Sequence, residues 1–208
     1  MSTAPDPDRG PRLPEVGSLP PITVEGRVAR LRARLADEGI DAFATVDPVS
    51  RRWLSGFTGS SGLLLVADRV TLFTDGRYGE QARAELARAH SSAAVEVVSD
   101  PVAAAAGRVT GGRLALEADR ITWAEQRRWA EACPADLVAW TGVVDEMRAV
   151  KSPAEVARMA AAAAIASAAL AEVLDEGVEG RTEREIAAAL DAAMARRGAD
   201  GPAYDTIV

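Results

Sequence analysis

Cysteine, histidine and lysine are almost absent from this chain of 208 residues. A single cysteine, Cys133, excludes an internal disulfide and any zinc site built from several thiolates. A single histidine, His90, excludes every metal motif that needs a histidine pair. Lys151 stands alone beside 23 arginines, which we interpret, together with the abundant alanine, as the codon bias of a GC-rich genome. A metal would therefore have to be held by carboxylates.

Positive charge is also in deficit. The chain has 24 basic and 31 acidic residues and a formal net charge of -7. Nucleic acid is not an expected partner, because phosphate binding needs clustered positive charge. No run of about 18 uncharged apolar residues occurs, so no membrane partner is expected either. Residues 1–22 are proline-rich and lack the apolar segment of a secretory signal, which predicts a disordered tail and a cytoplasmic protein.

Hydrophobic periodicity predicts an α/β domain over residues 23–148. An amphipathic helix comes first. Six short apolar runs then predict strands at residues 42–46, 63–67, 70–74, 95–98, 114–117 and 137–140. Helices with N-caps at Asp100 and Thr122 separate later strands, which indicates a mixed sheet with helices packed on it. Trp123 and Trp129 are predicted core anchors of the second of these helices.

A glycine-rich segment, residues 56–62, follows a predicted turn at Asp47 and Pro48. Its three glycines are spaced three residues apart, which differs from the dinucleotide-binding fingerprint, and a strand rather than a helix follows. No lysine is near enough to complete a P-loop. We interpret the segment as a bend where a strand approaches another part of the chain closely, and keep nucleotide binding as a weaker hypothesis.

The sequence shows no complete set of residues for nucleophilic catalysis. Ser60 and Ser61 lack a base oriented by a carboxylate, and no nucleophile-elbow motif occurs. His90 is predicted to be exposed at a helix end. Cys133 has no basic residue within two positions and is predicted to be a packing residue.

The sequence pattern changes over residues 149–208, where helical signals replace the alternation of strands and helices. Capping boxes at Ser152 and Thr182 predict two amphipathic helices, the first ending near Asp175 and the second at Gly198. Residues 204–208 are predicted to begin a strand. Two helices with apolar stripes need a partner layer, so we expect that the sheet they were built for is missing and that this region is truncated.

Four segments together resemble the aminopeptidase P, prolidase and creatinase family of pita-bread metallopeptidases. Residues 53–62 (WLSGFTGSSG) and 73–82 (FTDGRYGEQA) resemble two motifs of its N-terminal domain. Residues 148–155 (RAVKSPAE) resemble the entry into its catalytic domain, and residues 198–208 resemble the first strand of that domain. The motifs follow the family's order and spacing.

The resemblance implies a creatinase-like N-terminal domain over residues 23–148. Residues 149–208 would then be the truncated start, two helices and one strand, of an α+β pita-bread catalytic domain. A full-length member would be a Xaa-Pro aminopeptidase that removes the residue before a proline in the second position of a peptide. It would use two divalent metal ions, expected to be manganese, and would form a homodimer.

The family's metal ligands and catalytic histidines would lie after Val208, so we predict no catalytic and no metal-binding residue in this chain. Tyr204 matches an aromatic that lines the substrate pocket in some members and is the predicted substrate-binding residue. Trp53, Phe57 and Arg77 match positions that shape the domain and its subunit contacts.

Two questions stay open at this point. Aminopeptidase, dipeptidase and creatinase-like specificities are not separated, because their determinants would lie after Val208. Whether residues 1–208 form an enzyme is undecided, because the family's metal ligands and catalytic histidines would lie there too. The alternative function is a non-catalytic creatinase-like module for dimerisation or peptide binding.

Overall fold

A computed structural model describes residues 18–208, which divide into two compact units. One unit is Ile22–Val150, and the other is Lys151–Val208 together with residues 18–21. The predicted domain boundary lies between residues 148 and 149. Most of the tail predicted at residues 1–22 lies outside the described residues.

Six strands form one sheet in the Ile22–Val150 unit. They are β1 (Ala42–Thr45), β2 (Leu63–Val66), β3 (Val70–Thr74), β4 (Ala94–Val97), β5 (Arg113–Glu117) and β6 (Asp136–Trp140). Their order across the sheet is β4-β3-β2-β1-β5-β6. β2 runs antiparallel to β1 and β3, and the other neighbouring pairs are parallel. The predicted mixed sheet and its six strands are confirmed.

Six helices accompany this sheet. They are α1 (Arg27–Asp37), α2 (Pro48–Ser55), α3 (Gly79–Arg88), α4 (Pro101–Ala106), α5 (Trp123–Ala132) and α6 (Val143–Ala149). The predicted caps are confirmed, since the side chains of Asp100 and Thr122 accept backbone N–H groups at the starts of α4 and α5.

The predicted turn at Asp47 and Pro48 is wrong. The Asp47 carboxylate accepts the backbone N–H of Ser50 at 2.8 Å, and Pro48 occupies the first helical position of α2. α6 was not predicted either. It begins after Gly142 in the left-handed region and has no side-chain cap, so its start leaves no signal in the sequence.

Apolar side chains fill both faces of the sheet. Phe43, Leu64 and Leu72 belong to the core on one face. Leu63 and Phe73 belong to the core on the other face, which also holds Trp129. Neighbours in a strand alternate between the two cores, as a sheet covered by helices on both sides requires.

Only one of the two predicted tryptophan anchors is in the core. Trp129 is 1% exposed, whereas Trp123 is 76% exposed, so the prediction for Trp123 is wrong. Six residues along an α-helix turn the side chain to a position about 120° away, so the two rings cannot share one face of α5. The face that carries Trp129 is the one that packs on the sheet.

The Lys151–Val208 unit contains α7 (Pro153–Asp175) and α8 (Glu183–Arg196), and both predicted capping boxes are present. The helices meet through Ala169 and Val173 of α7 and Ala193 of α8. Arg196 and Arg197 both form ion pairs with Glu172. The two predicted helices are confirmed.

The strand predicted at residues 204–208 is not formed. Within Lys151–Val208, the described backbone contains helices, turns and irregular segments and no strand. A strand needs a neighbour to accept and donate its backbone hydrogen bonds, and this unit offers none among its described residues. The Thr206 hydroxyl instead donates to Asp191 of α8 at 2.5 Å.

The helix α7 is more apolar than the absence of a long uncharged run in the sequence suggests. By length and composition this helix could cross a membrane, and 22% of its most apolar stretch is buried. Arg158 and Glu172 interrupt this helix, so it contains no wholly uncharged run of about 18 residues. A single such helix is weak evidence for a membrane span, since core helices of soluble proteins have the same composition.

Candidate functional site

A buried arginine organises the glycine loop, which we define as residues 56–62. Arg51 of α2 is 1% exposed. Its guanidinium donates to the carbonyl oxygens of Val46 at 3.1 Å, Gly62 at 2.6 Å and Gly59 at 2.5 Å. Burial lowers the pKa of Arg51, although Asp47 opposes this effect. One buried cation therefore ties both ends of the segment between β1 and β2.

The loop glycines are sites of close approach. A Cβ atom at Gly56, where φ is +85°, would lie 2.3 Å from the Cβ of Ala89. A Cβ atom at Gly59 would lie 2.3 Å from the ring of Phe57. No larger residue fits without displacing these neighbours. The interpretation of this segment as a tight bend is confirmed.

Polar side chains from the glycine loop, from the turn after β3 and from α3 form small groups of hydrogen bonds, here together called the loop surface. Its members are Thr58, Ser60, Asp75, Arg77, Tyr78, Gln81 and Glu85. The hydroxyls of Ser60 and Tyr78 lie 2.7 Å apart, and this hydrogen bond lowers the pKa of Tyr78.

A carboxylate anchors the loop to α3. Glu85 accepts the backbone N–H of Thr58 at 2.9 Å and its hydroxyl at 2.6 Å. Gln81 donates to the same carboxylate at 3.1 Å. Burial raises the pKa of Glu85, but these hydrogen bonds outweigh it and the net pKa is lowered. The carboxylate is therefore ionised and serves as an acceptor.

An exposed ion pair forms the other side of the loop surface. The Arg77 guanidinium donates to both carboxylate oxygens of Asp75, at 3.1 and 2.8 Å. These bonds lower the pKa of Asp75 to about 2. Arg77 also lies over the ring of Tyr78, 5.3 Å from its centroid. The Asp75 carboxylate is thus fixed as an anion and is not available as a general acid near neutral pH.

Two residues expected to shape the domain are buried in its core. Trp53 lies beneath the guanidinium groups of Arg27 and Arg30, at 4.7 and 5.7 Å from its ring centroid. Phe57 is fully buried and contacts Tyr78 edge to face, with centroids 5.9 Å apart. The Phe57 ring therefore packs against the loop surface through Tyr78, and the Trp53 ring packs against two arginines of the helix α1.

The predicted substrate residue belongs to the other unit. Tyr204 is 77% exposed in the Lys151–Val208 unit, and its role in substrate binding stays a prediction. His90 is exposed just after α3, as predicted, and Cys133 is buried in the core. Ser60 has a tyrosine hydroxyl as its partner rather than a base, so it is not an activated nucleophile.

The residues present do not fit the metal centre that the resemblance implies for full-length members. Across residues 18–208, no group of three or more histidine, cysteine, aspartate or glutamate side chains is placed to hold a metal ion. We therefore assign no hydrolytic step to the described side chains.

Comparison with known proteins decides the family. Residues 27–150 match the Creatinase/Prolidase N-terminal domain, and residues 157–208 match Metallopeptidase family M24. The chain belongs to the creatinase and prolidase family of metallopeptidases. Both N-terminal motifs of this family, at residues 53–62 and 73–82, fold into or beneath the loop surface.

The relatives are peptidases of about twice the length. Uncharacterized peptidase YqhT of Bacillus subtilis is 29% identical over 188 residues, which are 88% of this chain and 52% of that protein. The Xaa-Pro dipeptidase from Bacillus anthracis has a similar structure, with a TM-score of 0.79, 27% identity and coverage of 88% of this chain and 52% of that one. The chain therefore spans about half the length of these relatives.

An isolated domain of another family member corresponds to the creatinase-like unit. The N-terminal domain of cytoplasmic peptidase PepQ from Mycobacterium tuberculosis H37Rv is 34% identical, with a TM-score of 0.52. The match covers 59% of this chain and 98% of that one.

The residue that organises the loop, Arg51, was missed by sequence reasoning. It is one of 23 arginines, and nothing in its neighbours distinguishes a buried guanidinium from an exposed one. The one available signal was its position between an apolar strand and a glycine-rich bend.

Proposed function

We propose that this chain is the N-terminal part of a Xaa-Pro peptidase. It would comprise the creatinase-like N-terminal domain and the first helices of the metallopeptidase domain. One observation carries the proposal: the two family models match successive parts of one chain, residues 27–150 and 157–208. The activity of the whole protein would be hydrolysis of the bond that precedes a proline in the second position of a peptide.

The proposal also covers the metal ions of the whole protein, its oligomeric state and its location in the cell. The whole protein would use two divalent metal ions, with manganese as the first candidate, because the M24 family consists of metallopeptidases. Its ligands would be residues other than those at 18–208, where no suitable cluster occurs. We also propose a homodimer that works in the cytoplasm, where the related PepQ is described.

The test compares residues 1–208 with any longer product of the same gene. Both proteins are purified, their manganese content is measured after dialysis, and hydrolysis of a fluorogenic Xaa-Pro peptide is followed. We expect neither stoichiometric manganese nor hydrolysis with residues 1–208, and both with the longer product. Tight manganese binding and cleavage by residues 1–208 alone would overturn the proposal, as would a stop codon after codon 208.

The alternative, a non-catalytic module for dimerisation or peptide binding, has one observation in its favour. Trp123 is exposed beside a groove of about 450 Å³. Leu137 and Val138 of the edge strand β6 line this groove together with Ile121. Light scattering and the hydrolysis assay together separate the two functions: the module is favoured if Trp123→Ala converts a stable dimer of residues 1–208 to a monomer and if none of the gene's longer products cleaves a Xaa-Pro peptide.

A further inference from the structure

A glutamate is buried at the end of a strand in the creatinase-like unit. Glu117, the last residue of β5, is 6% exposed. It pairs across the sheet with Trp140 of β6, and the preceding residue, Leu116, pairs with Ala44 of β1. A buried carboxyl group must be neutral, paired with a cation or fully hydrogen-bonded, because an isolated charge is costly in an apolar interior.

The contacts of Glu117 do not supply what an anion needs. The Ser50 hydroxyl donates to its Oε1 at 2.8 Å, and the Thr45 hydroxyl also bonds to its side chain. Its Oε2 is buried and has no hydrogen-bond partner among the described residues. An ionised carboxylate has about four acceptor sites, so two hydroxyls leave it under-solvated.

The charged groups around Glu117 also disfavour an anion. Asp47, at the N-cap of α2, and Asp119, in the segment after β5, both act on it as like charges. Arg51 and Arg120 lie near Asp47, but Arg51 donates to carbonyl oxygens and Arg120 pairs with Asp119 and Asp145. No cation forms an ion pair with Glu117 within the described part of the chain.

The hydrogen bonds of Glu117 connect two strands to one helix start. Thr45 ends β1 and also accepts the backbone N–H of Asp47 at 3.0 Å. Ser50 lies in the first turn of α2, where its backbone N–H is bound by Asp47. Glu117 therefore attaches the start of α2 to β5, and α2 carries Arg51, which organises the glycine loop.

We propose that Glu117 is protonated in the folded chain and attaches the start of α2 to β5. Loss of this proton to water loosens the start of α2 and the glycine loop that follows. Burial is the main cause that raises the pKa of this carboxyl group, and Asp47 and Asp119 add to the effect against the hydrogen bonds from Thr45 and Ser50. The device depends only on the fold of the creatinase-like unit and stands apart from the proposed peptidase function.

The direction of the pH effect follows from this placement. A carboxyl group with a raised pKa in the folded state stabilises the fold fully below its unfolded pKa, which is about 4.3 for glutamate. That stability is lost as pH rises through the folded pKa. Glu117→Gln removes the ionisation but keeps an oxygen that accepts hydrogen bonds from Ser50 and Thr45, so this variant escapes the loss.

The test is urea unfolding of the whole chain between pH 5 and 9, followed by tryptophan fluorescence. The unfolding equilibrium constant of the native protein, divided by that of Glu117→Gln, is expected to rise by up to tenfold per pH unit between the unfolded pKa of about 4.3 and the folded pKa, and to level off above the folded pKa. Glu131→Gln is the matched control at an exposed position of α5, and its ratio is expected to stay constant.

A ratio for Glu117→Gln that is as constant as the control would overturn the proposal. A second measurement does not depend on how well the variant folds. In the native protein with ¹³C-labelled glutamate, one carboxyl carbon is expected to titrate clearly above the others. If every glutamate titrates near the ordinary value of about 4.3, Glu117 is not held protonated in the folded chain and the proposal is wrong.

Discussion

The two units of this chain bury their apolar side chains to very different extents. In Ile22–Val150, two cores fill both faces of a six-stranded sheet, and all of its strands except the edge strands are buried along their length or nearly so. In Lys151–Val208, the buried cluster consists of Ala169, Val173 and Ala193. Large apolar side chains of α7, among them Met159, Leu170 and Leu174, remain exposed.

This difference shows that a segment can form regular, well-capped helices without burying a large apolar core. The helices α7 and α8 have capping boxes as complete as that of α5. Caps and alanine content stabilise helices locally, but alanine contacts bury little area at about 25 cal/mol per Å². We therefore infer that most of the chain's folding free energy comes from Ile22–Val150.

The largest effect is expected from removing a core ring. Trp129→Ala should destabilise the first unit by about 3–5 kcal/mol, because it removes a fully buried side chain and leaves a cavity. Urea unfolding followed by the fluorescence of the remaining tryptophans measures this directly, since all four tryptophans lie in this unit.

Two controls sharpen the comparison. Trp123→Ala removes an exposed ring from the same helix, and Leu174→Ala removes an exposed side chain from the second unit. Each is expected to change the free energy of unfolding by less than about 0.5 kcal/mol, measured by tryptophan fluorescence for Trp123→Ala and by circular dichroism at 222 nm for Leu174→Ala. A cost for Leu174→Ala close to that of Trp129→Ala would contradict the contrast between the units.

A smaller effect is expected from the arginines. Arg51→Met should cost about 3 kcal/mol, because three carbonyl groups around the glycine loop lose a charged donor. Arg196→Met breaks an exposed ion pair in the second unit and should cost less than about 1 kcal/mol. Unfolding followed by tryptophan fluorescence for the first variant and by circular dichroism at 222 nm for the second gives both values.

The neighbouring residue provides the control for Arg51. Arg52 is exposed on the same helix, so Arg52→Met should leave the stability of the first unit nearly unchanged. Equal losses for the Arg51 and Arg52 variants would show that the guanidinium does not organise the loop.

The strands and the capped helices could be predicted from the sequence because their signals are local. Alternating or continuous apolar runs marked all six strands. The same dipeptide, Asp-Pro, was interpreted correctly at Asp100 but as a turn at Asp47, although in both places the aspartate side chain caps a helix that has the proline in its first turn. The order of the strands depends on contacts between distant segments, so no local pattern encodes it.

The candidate site was less predictable than the fold. Family motifs indicated which segments matter, but the hydrogen bonds from Arg51 and the burial of Glu117 arise where separate elements meet. Neither residue type shows from sequence alone whether it will be buried. The predicted strand at residues 204–208 failed for a related reason, since a strand depends on its neighbour as well as on its own residues.

Hydrogen exchange of the whole chain, followed by mass spectrometry of its peptides, tests the central contrast most directly. We expect β1, β2, β3 and β5 to contain the slowest exchanging amides and to open only with global unfolding of Ile22–Val150. The amides of α7 and α8 should exchange much earlier, by local opening. Protection of α7 and α8 equal to that of β2 would contradict the account.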